Sequence, residues 1–176
     1  MADTAKYDFP GLNAGDKLER KYLAHFIDES FNGTTSYVRL GKDLEDYSIE
    51  LNPDVEQTKN IIGENSTNVK GYEPQGSVEP YYAREGDALF EKLYDIINTR
   101  ATGSELETSV IDCLIGYDNS NNTISVISAT KEDVVVVPQS IGGEDGVQIP
   151  FEIYYSGNRT AIDGTIVDNK FVPAAD

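Results

Sequence analysis

Tryptophan is missing from this chain, and cysteine, histidine and methionine occur once each. A single cysteine cannot close a disulfide within the chain and cannot build a metal cluster. Cys113 lies in an apolar, strand-like run from Ser109 to Ile115. That setting predicts a buried structural thiol and not a nucleophile. The single histidine, His25, falls on the strand face opposite Tyr22, Ala24 and Phe26, and no nearby residue completes a dyad with it. A structural role is therefore expected for it as well.

Cations are scarce. The chain holds 14 Lys and Arg against 31 Asp and Glu, a formal charge of −17. With no basic surplus to displace counterions, it is not built to grip nucleic-acid phosphates. The same deficit argues against an anionic membrane surface. No segment approaches the ~18 consecutive apolar residues of a membrane span. The N-terminus has no apolar signal core, which predicts a cytoplasm-like compartment. Neither a P-loop nor a G-x-G-x-x-G is present. The stretch Asp118–Thr123 echoes a calcium loop but lacks the glycine at its sixth position, and Ala129 stands where the twelfth-position acid belongs. No cofactor or metal is expected. Acid pairs such as Glu144/Asp145 and Glu45/Asp46 could serve a carboxylate hydrolase. With 31 acids, such pairs also arise by chance.

What is present is tyrosine, eleven of them, in a chain whose hydrophobic fraction is 39%. That fraction is lean for a compact globule, so part of the burial is expected against partner chains. Tyrosine suits surfaces that are wet in one state and covered in another. A length of 176 residues fits one domain with arms.

Residues 1–20 read as a polar N-terminal arm, with Tyr7, Phe9 and Leu12 as pegs for a neighbour or as part of a frayed end. Residues 21–173 read as one β-rich domain. Strands are predicted at 21–31 and Tyr37–Leu40, around the Asn32-Gly33 turn. From Tyr47 onward the residues alternate. Tyr47, Ile49, Leu51 and Val55 fall on one face and Glu50, Asp54 and Glu56 on the other. That is the pattern of a half-buried strand, with Pro53 marking an edge, bulge or bend. Residues 57–76 are polar and turn-rich, with Ile61, Ile62, Val69 and Tyr72 as their apolar members. So long a connection is functional or mobile. Together, 47–83 read as a long hairpin whose tip reaches beyond its own domain.

One helix is predicted at 85–99. Leu89, Phe90, Leu93, Ile96 and Ile97 form its sheet-packing stripe, Asp87 is the cap candidate, and Arg100 and Gly103 lie at and beyond its end. Strands follow at 108–117, 123–130, 133–137, 147–156, 161–167 and 170–172. Four Asn-x-Ser/Thr sequons, at Asn32, Asn65, Asn121 and Asn158, read as loops. The expected fold is mainly β with one helix, a β-sandwich or rolled sheet on which the helix packs.

Several ordered phrases then resemble the tail tube (major tail) proteins of long-tailed bacteriophages of Gram-positive bacteria. They are Asn13-Ala14-Gly15-Asp16-Lys17-Leu18, Tyr22–Asp28, Leu40–Glu45, Leu51–Glu56, Asn68–Pro74 and Val78–Ala83. They span most of 13–100, and the C-terminal third matches in strand pattern only. The resemblance implies two packed sheets flanked by a helix, six subunits per ring and rings stacked into a tube. It implies that the loop matched by 57–76, with Ile61, Ile62, Val69 and Tyr72, bridges rings. It also implies a virion tail assembled in the bacterial cytoplasm. The implied partners are the tape-measure, tail-tip and terminator proteins, with DNA passing through the lumen unbound.

The charge agrees with that reading on its own terms. A ring of six would carry −102 (6 × −17), and an acidic wall repels a passing duplex where a basic wall would hold it. Glu50, Asp54, Glu56 and Glu79 are the candidate lumen residues; the same face could equally be a solvated one. The alternatives from other classes are a virion decoration or receptor- or glycan-binding β-sandwich, the carboxylate hydrolase, and the tube of a contractile tail.

Overall fold

The computed structural model describes residues 6–41, 47–118 and 123–175. Eleven strands and one helix follow in chain order: β1 (Leu23–Asp28), β2 (Tyr37–Leu40), β3 (Ile49–Glu50), β4 (Pro53–Lys59), β5 (Asn65–Tyr72), β6 (Gln75–Val78), α1 (Ala88–Thr99), β7 (Glu107–Asp118), β8 (Thr123–Pro138), β9 (Phe151–Ala161), β10 (Gly164–Val167) and β11 (Lys170–Pro173). Nine of the strands form one antiparallel sheet in the order β10-β11-β2-β1-β7-β8-β9-β6-β3, and among the described residues β4 pairs only with β5. The protein is mainly β with one helix, as the pattern predicted, and the sheet is rolled into a half-barrel.

The roll follows from burial on both faces of the central strands. In β1, five successive residues from Ala24 to Asp28 are buried, so period two splits them between two cores. Ile27, Val110, Val134, Val136 and Ile153 face one core, which α1 covers. Ala24, Phe26, Ile111, Cys113 and Ala129 face the other, where Phe171 and Ile166 of the terminal hairpin lie over them. The link just before β10 is tied to β8 through the Ile162 amide, which donates to the Ala129 carbonyl at 3.1 Å. A flat sheet could not bring its first strand onto its sixth.

The helix packs where its spacing directs. Leu89, Leu93 and Ile96 are buried, and Phe90 and Ile97 lie half-buried against the same core. The Asp87 side chain accepts from the Leu89 amide and caps the N-terminus. At the other end Arg100 itself takes the left-handed position (φ 54°), so the chain leaves the helix before Gly103. The last hairpin turns at Asp168-Asn169 with positive φ at both residues, the backbone of a tight antiparallel turn.

Four readings need correction. Residues 20–22 form a single 3-10 turn, and β1 begins at Leu23. The separate strands at 123–130 and 133–137 are one strand, β8, because the polar Lys131–Asp133 stretch is a register shift against β9. The sequons at Asn65 and Asn158 lie in β5 and β9, and Asn121 lies outside the described residues. The 47–56 strand is broken by Asn52 at φ 42°. β3 stays with the main sheet, while β4 leaves it. Leu51 and Val55 are accordingly 52% and 46% exposed where a half-buried strand would have covered them.

Candidate interaction surface: the arm, its anchor and the acidic edge

The chain from Asn52 to Glu73 stands off the main sheet as a two-stranded arm. Every residue from Leu51 to Lys70 is exposed. At the base, Asn52 and Glu73 hold the two ends together. The Glu73 amide donates to the Asn52 carbonyl at 3.3 Å, and the Asn52 side-chain amide donates to the Glu73 carbonyl at 3.1 Å. At the tip, the Asn60 side-chain oxygen accepts from the amides of Ile62 and Glu64 at 3.2 and 2.9 Å, and Gly63 turns with φ 88°. An asparagine that mimics backbone in this way organises the turn locally. The turn holds Ile61 and Ile62 in solvent, at 105% and 75% exposure.

Two exposed isoleucines at the tip, with Val55 directly opposite Val69 along the ribbon and Tyr72 59% exposed near its base, make an apolar surface that none of the described residues covers. A two-stranded ribbon is at best marginal in water by itself. The residues singled out in the sequence, Ile61, Ile62, Val69 and Tyr72, all belong to this arm.

The arm is anchored through Tyr47. Its ring lies edge-on to the His25 ring at 4.7 Å between centroids, and its hydroxyl meets the Tyr155 hydroxyl at 3.3 Å. Arg20 donates to its carbonyl at 3.0 Å. Beneath it, Asp112 holds the Nδ1 of His25 at 2.5 Å with one carboxylate oxygen and accepts from the Tyr155 hydroxyl at 3.1 Å with the other. Burial is the main reason that the hydroxyls of Tyr47 and Tyr155 sit well above the usual tyrosine range.

His25 therefore has the carboxylate partner that its sequence neighbourhood did not supply. Asp112 comes from β7, 87 residues away. The two share a cleft of about 510 Å³ with Tyr47 and Tyr155: His25 is 3% exposed, its Nε2 has no hydrogen-bond partner among the described residues, and Asp112 is half-buried. The one available signal was an acid inside the apolar 109–115 run.

The candidate acids fall into two groups. Glu50 and Glu79 line a cleft of about 260 Å³ with Glu152, at the edge formed by β3, β6 and β9. Asp54 and Glu56 stand on the arm, where Glu56 pairs with Lys70 across the ribbon at 3.2 Å. The structure thus brings Glu50 and Glu79 together and adds Glu152, which the sequence did not mark. Glu144 and Asp145 are exposed in a loop, and Glu45 and Asp46 lie outside the described residues. Cys113 is buried, and burial pushes its thiol up to about 12.

The N-terminal arm docks on its own chain. Phe9 packs edge-on against Tyr22 at 5.8 Å, and Pro10 lies where a side chain on Gly116 would have to go, 2.7 Å from a Cβ built there.

No protein-family model matches the chain, and neither does any curated protein. Solved structures do. The sheath/tube terminator of an extracellular contractile injection system, PVC, in its extended state superposes with a TM-score of 0.53 at 8% identity, covering 86% of this chain and all of that one. The tube terminating cap of the anti-feeding prophage gives 0.52 at 12%, covering 92% and 98%. A chain of the PVC sheath–tube complex in the extended state gives 0.50 at 11%, covering 85% and 95%. The rolled sheet with its helix is a fold this chain shares with those three chains.

Proposed function

We propose that this chain is a structural, non-catalytic subunit of a phage-like tail tube. Six copies form a ring, rings stack into a hollow tube, and the arm carries Ile61 and Ile62 onto the adjacent ring. The observation that carries this reading is the arm itself, a paired ribbon with an apolar tip that no other described residue covers. The fold shared with a sheath/tube terminator, a tube terminating cap and a chain of a sheath–tube complex supports it. The chain acts by assembling and by conducting passively. Its acids keep the lumen repulsive to a duplex, and it binds no nucleic acid. Its partners are copies of itself and the tape-measure, tip and terminator proteins of a virion tail assembled in the host cytoplasm.

Negative-stain electron microscopy of the purified protein, before and after concentration, tests this reading. Six-fold rings or long hollow tubes are expected. Featureless particles that persist when tail-tip proteins are added would overturn it in favour of a decoration or glycan-binding module. A second reading is favoured by the two terminator and cap chains among the structural neighbours. In it the ring closes the end of a tube instead of building its length. Single six-fold rings that never elongate would select it.

A further inference from the structure

We infer that the arms pair with one another edge to edge, the free edge of β5 in one copy against the free edge of β4 in the next. This rests on the ring reading above and adds the partner that covers the ribbon. Each arm has one strand running away from the domain and one returning. In a ring built by rotation all arms point the same way. The β5 edge of one copy then always faces a β4 edge of opposite direction, so an antiparallel ladder is available without any rearrangement.

The edges are complementary in charge. β4 (Pro53–Lys59) carries Asp54, Glu56 and Lys59, and the only charge on β5 (Asn65–Tyr72) is Lys70. Lys70 already reaches Glu56 within its own ribbon, and a neighbouring β4 would supply further carboxylates on its other side. The faces also agree. Val55 stands opposite Val69 in the register, each 46% exposed, so joined arms would extend that pair into a continuous apolar row. Both edges are otherwise open, blunted only by Pro53 and the register shift at Asp54/Val55, and an open edge of this kind recruits another strand. Alone, the ribbon has two strands; six arms joined this way would close into a crown without edges.

Mixed cysteine cross-linking tests this. Gln57→Cys or Thr58→Cys is placed on β4 in one preparation, and Ser66→Cys, Thr67→Cys or Asn68→Cys on β5 in another. Each variant carries one introduced cysteine, and native Cys113 is 2% exposed. The preparations are mixed before assembly and oxidised after it. A dimer band is expected for at least one β4–β5 combination, and only in the mixture. Rings or tubes visible by microscopy with no mixed cross-link would overturn the edge pairing and leave the ring reading standing. Strong cross-links in unmixed samples would also overturn it, because they require like edges to meet. Absence of any assembly would remove the ring reading and the inference with it.

Discussion

Tyr47 occupies the space that a side chain at position 76 would need. A Cβ built on Gly76 would lie 2.6 Å from the Tyr47 hydroxyl oxygen and 2.8 Å from its ring. The glycine in β6 is what lets the tyrosine lie across the sheet, and through Tyr47 it fixes where the arm begins. The Gly76→Ala variant should lose stability, because the ring must move and its hydroxyl contact with Tyr155 must lengthen. Overpacking of this kind costs ~1–3 kcal/mol, or roughly 2–12 °C in Tm for a domain of this size. Thermal unfolding that is unchanged in Gly76→Ala would refute the anchor.

Asp112 is the second element of that anchor. Replacing it by alanine leaves the His25 Nδ1 and the Tyr155 hydroxyl without their half-buried acceptor. An uncompensated loss of this kind costs about 3 kcal/mol. Asp112→Asn keeps the shape and one acceptor oxygen, so it should fall between wild type and Asp112→Ala in urea denaturation. Equal midpoints for all three proteins would show that the network contributes nothing.

These two examples mark what the sequence could and could not reveal. The helix was legible because its packing signal is local: Leu89, Leu93 and Ile96 recur at helical spacing and Asp87 precedes them. The break at Asn52 was legible only in part: Pro53 marked an edge, bulge or bend, but a single asparagine with positive φ leaves the alternation of Tyr47, Ile49 and Leu51 intact. Lys131 and Glu132 looked like the gap between two strands, at 123–130 and 133–137. They are a bulge region in which Glu132 is buried and Arg159 of β9 comes within 4.0 Å of it. The His25–Asp112 pair was not legible, because only the pairing of β1 with β7, in which the two are register partners, joins positions so far apart.

Cys113 gives a chemical test of the same core. Burial raises its thiol to about 12, against about 8.5 for an unperturbed cysteine. At pH 8 the folded protein should therefore hold it protonated and unreactive toward an aromatic disulfide reagent, and urea should release one thiol per chain. The linkage has a definite sign. Above the unfolded value the unfolded chain loses a proton that the folded chain keeps, so stability falls as pH rises from about 8.5 toward 12. A full equivalent of reagent consumed by the native protein at pH 8 would contradict the buried thiol.

The arm should be separable from the domain. Asn52 and Glu73 are already hydrogen-bonded to each other, so removing residues 53–72 and joining the ends through a short glycine link should leave the main sheet folded. The excised protein should keep its circular dichroism and its thermal transition and fail to form tubes. The double variant Ile61→Ser, Ile62→Ser should do the same more gently, with unchanged Tm because both side chains are exposed. Tubes built without the arm would remove the bridging role.

The two acidic groups can be told apart by reversing their charge separately. Glu50 and Glu79 share a cleft with Glu152, whereas Asp54 and Glu56 stand on the arm and Glu56 is partly neutralised by Lys70. If Glu50 and Glu79 face the lumen, the variant with lysine at both should still form tubes, because both side chains are exposed. It should slow the passage of DNA, since each lysine can hold a phosphate and release a counterion. The slowing should be relieved by added salt, which weakens such contacts and screens the rest. The variant with lysine at Asp54 and Glu56 should act more on assembly, because it removes the complement of Lys70. Ejection kinetics from particles reconstituted with each variant distinguish the sets. Unchanged ejection with lysine at Glu50 and Glu79 would move the lumen wall away from the β3–β6 edge, and unchanged ejection in both variants would remove all four acids from it.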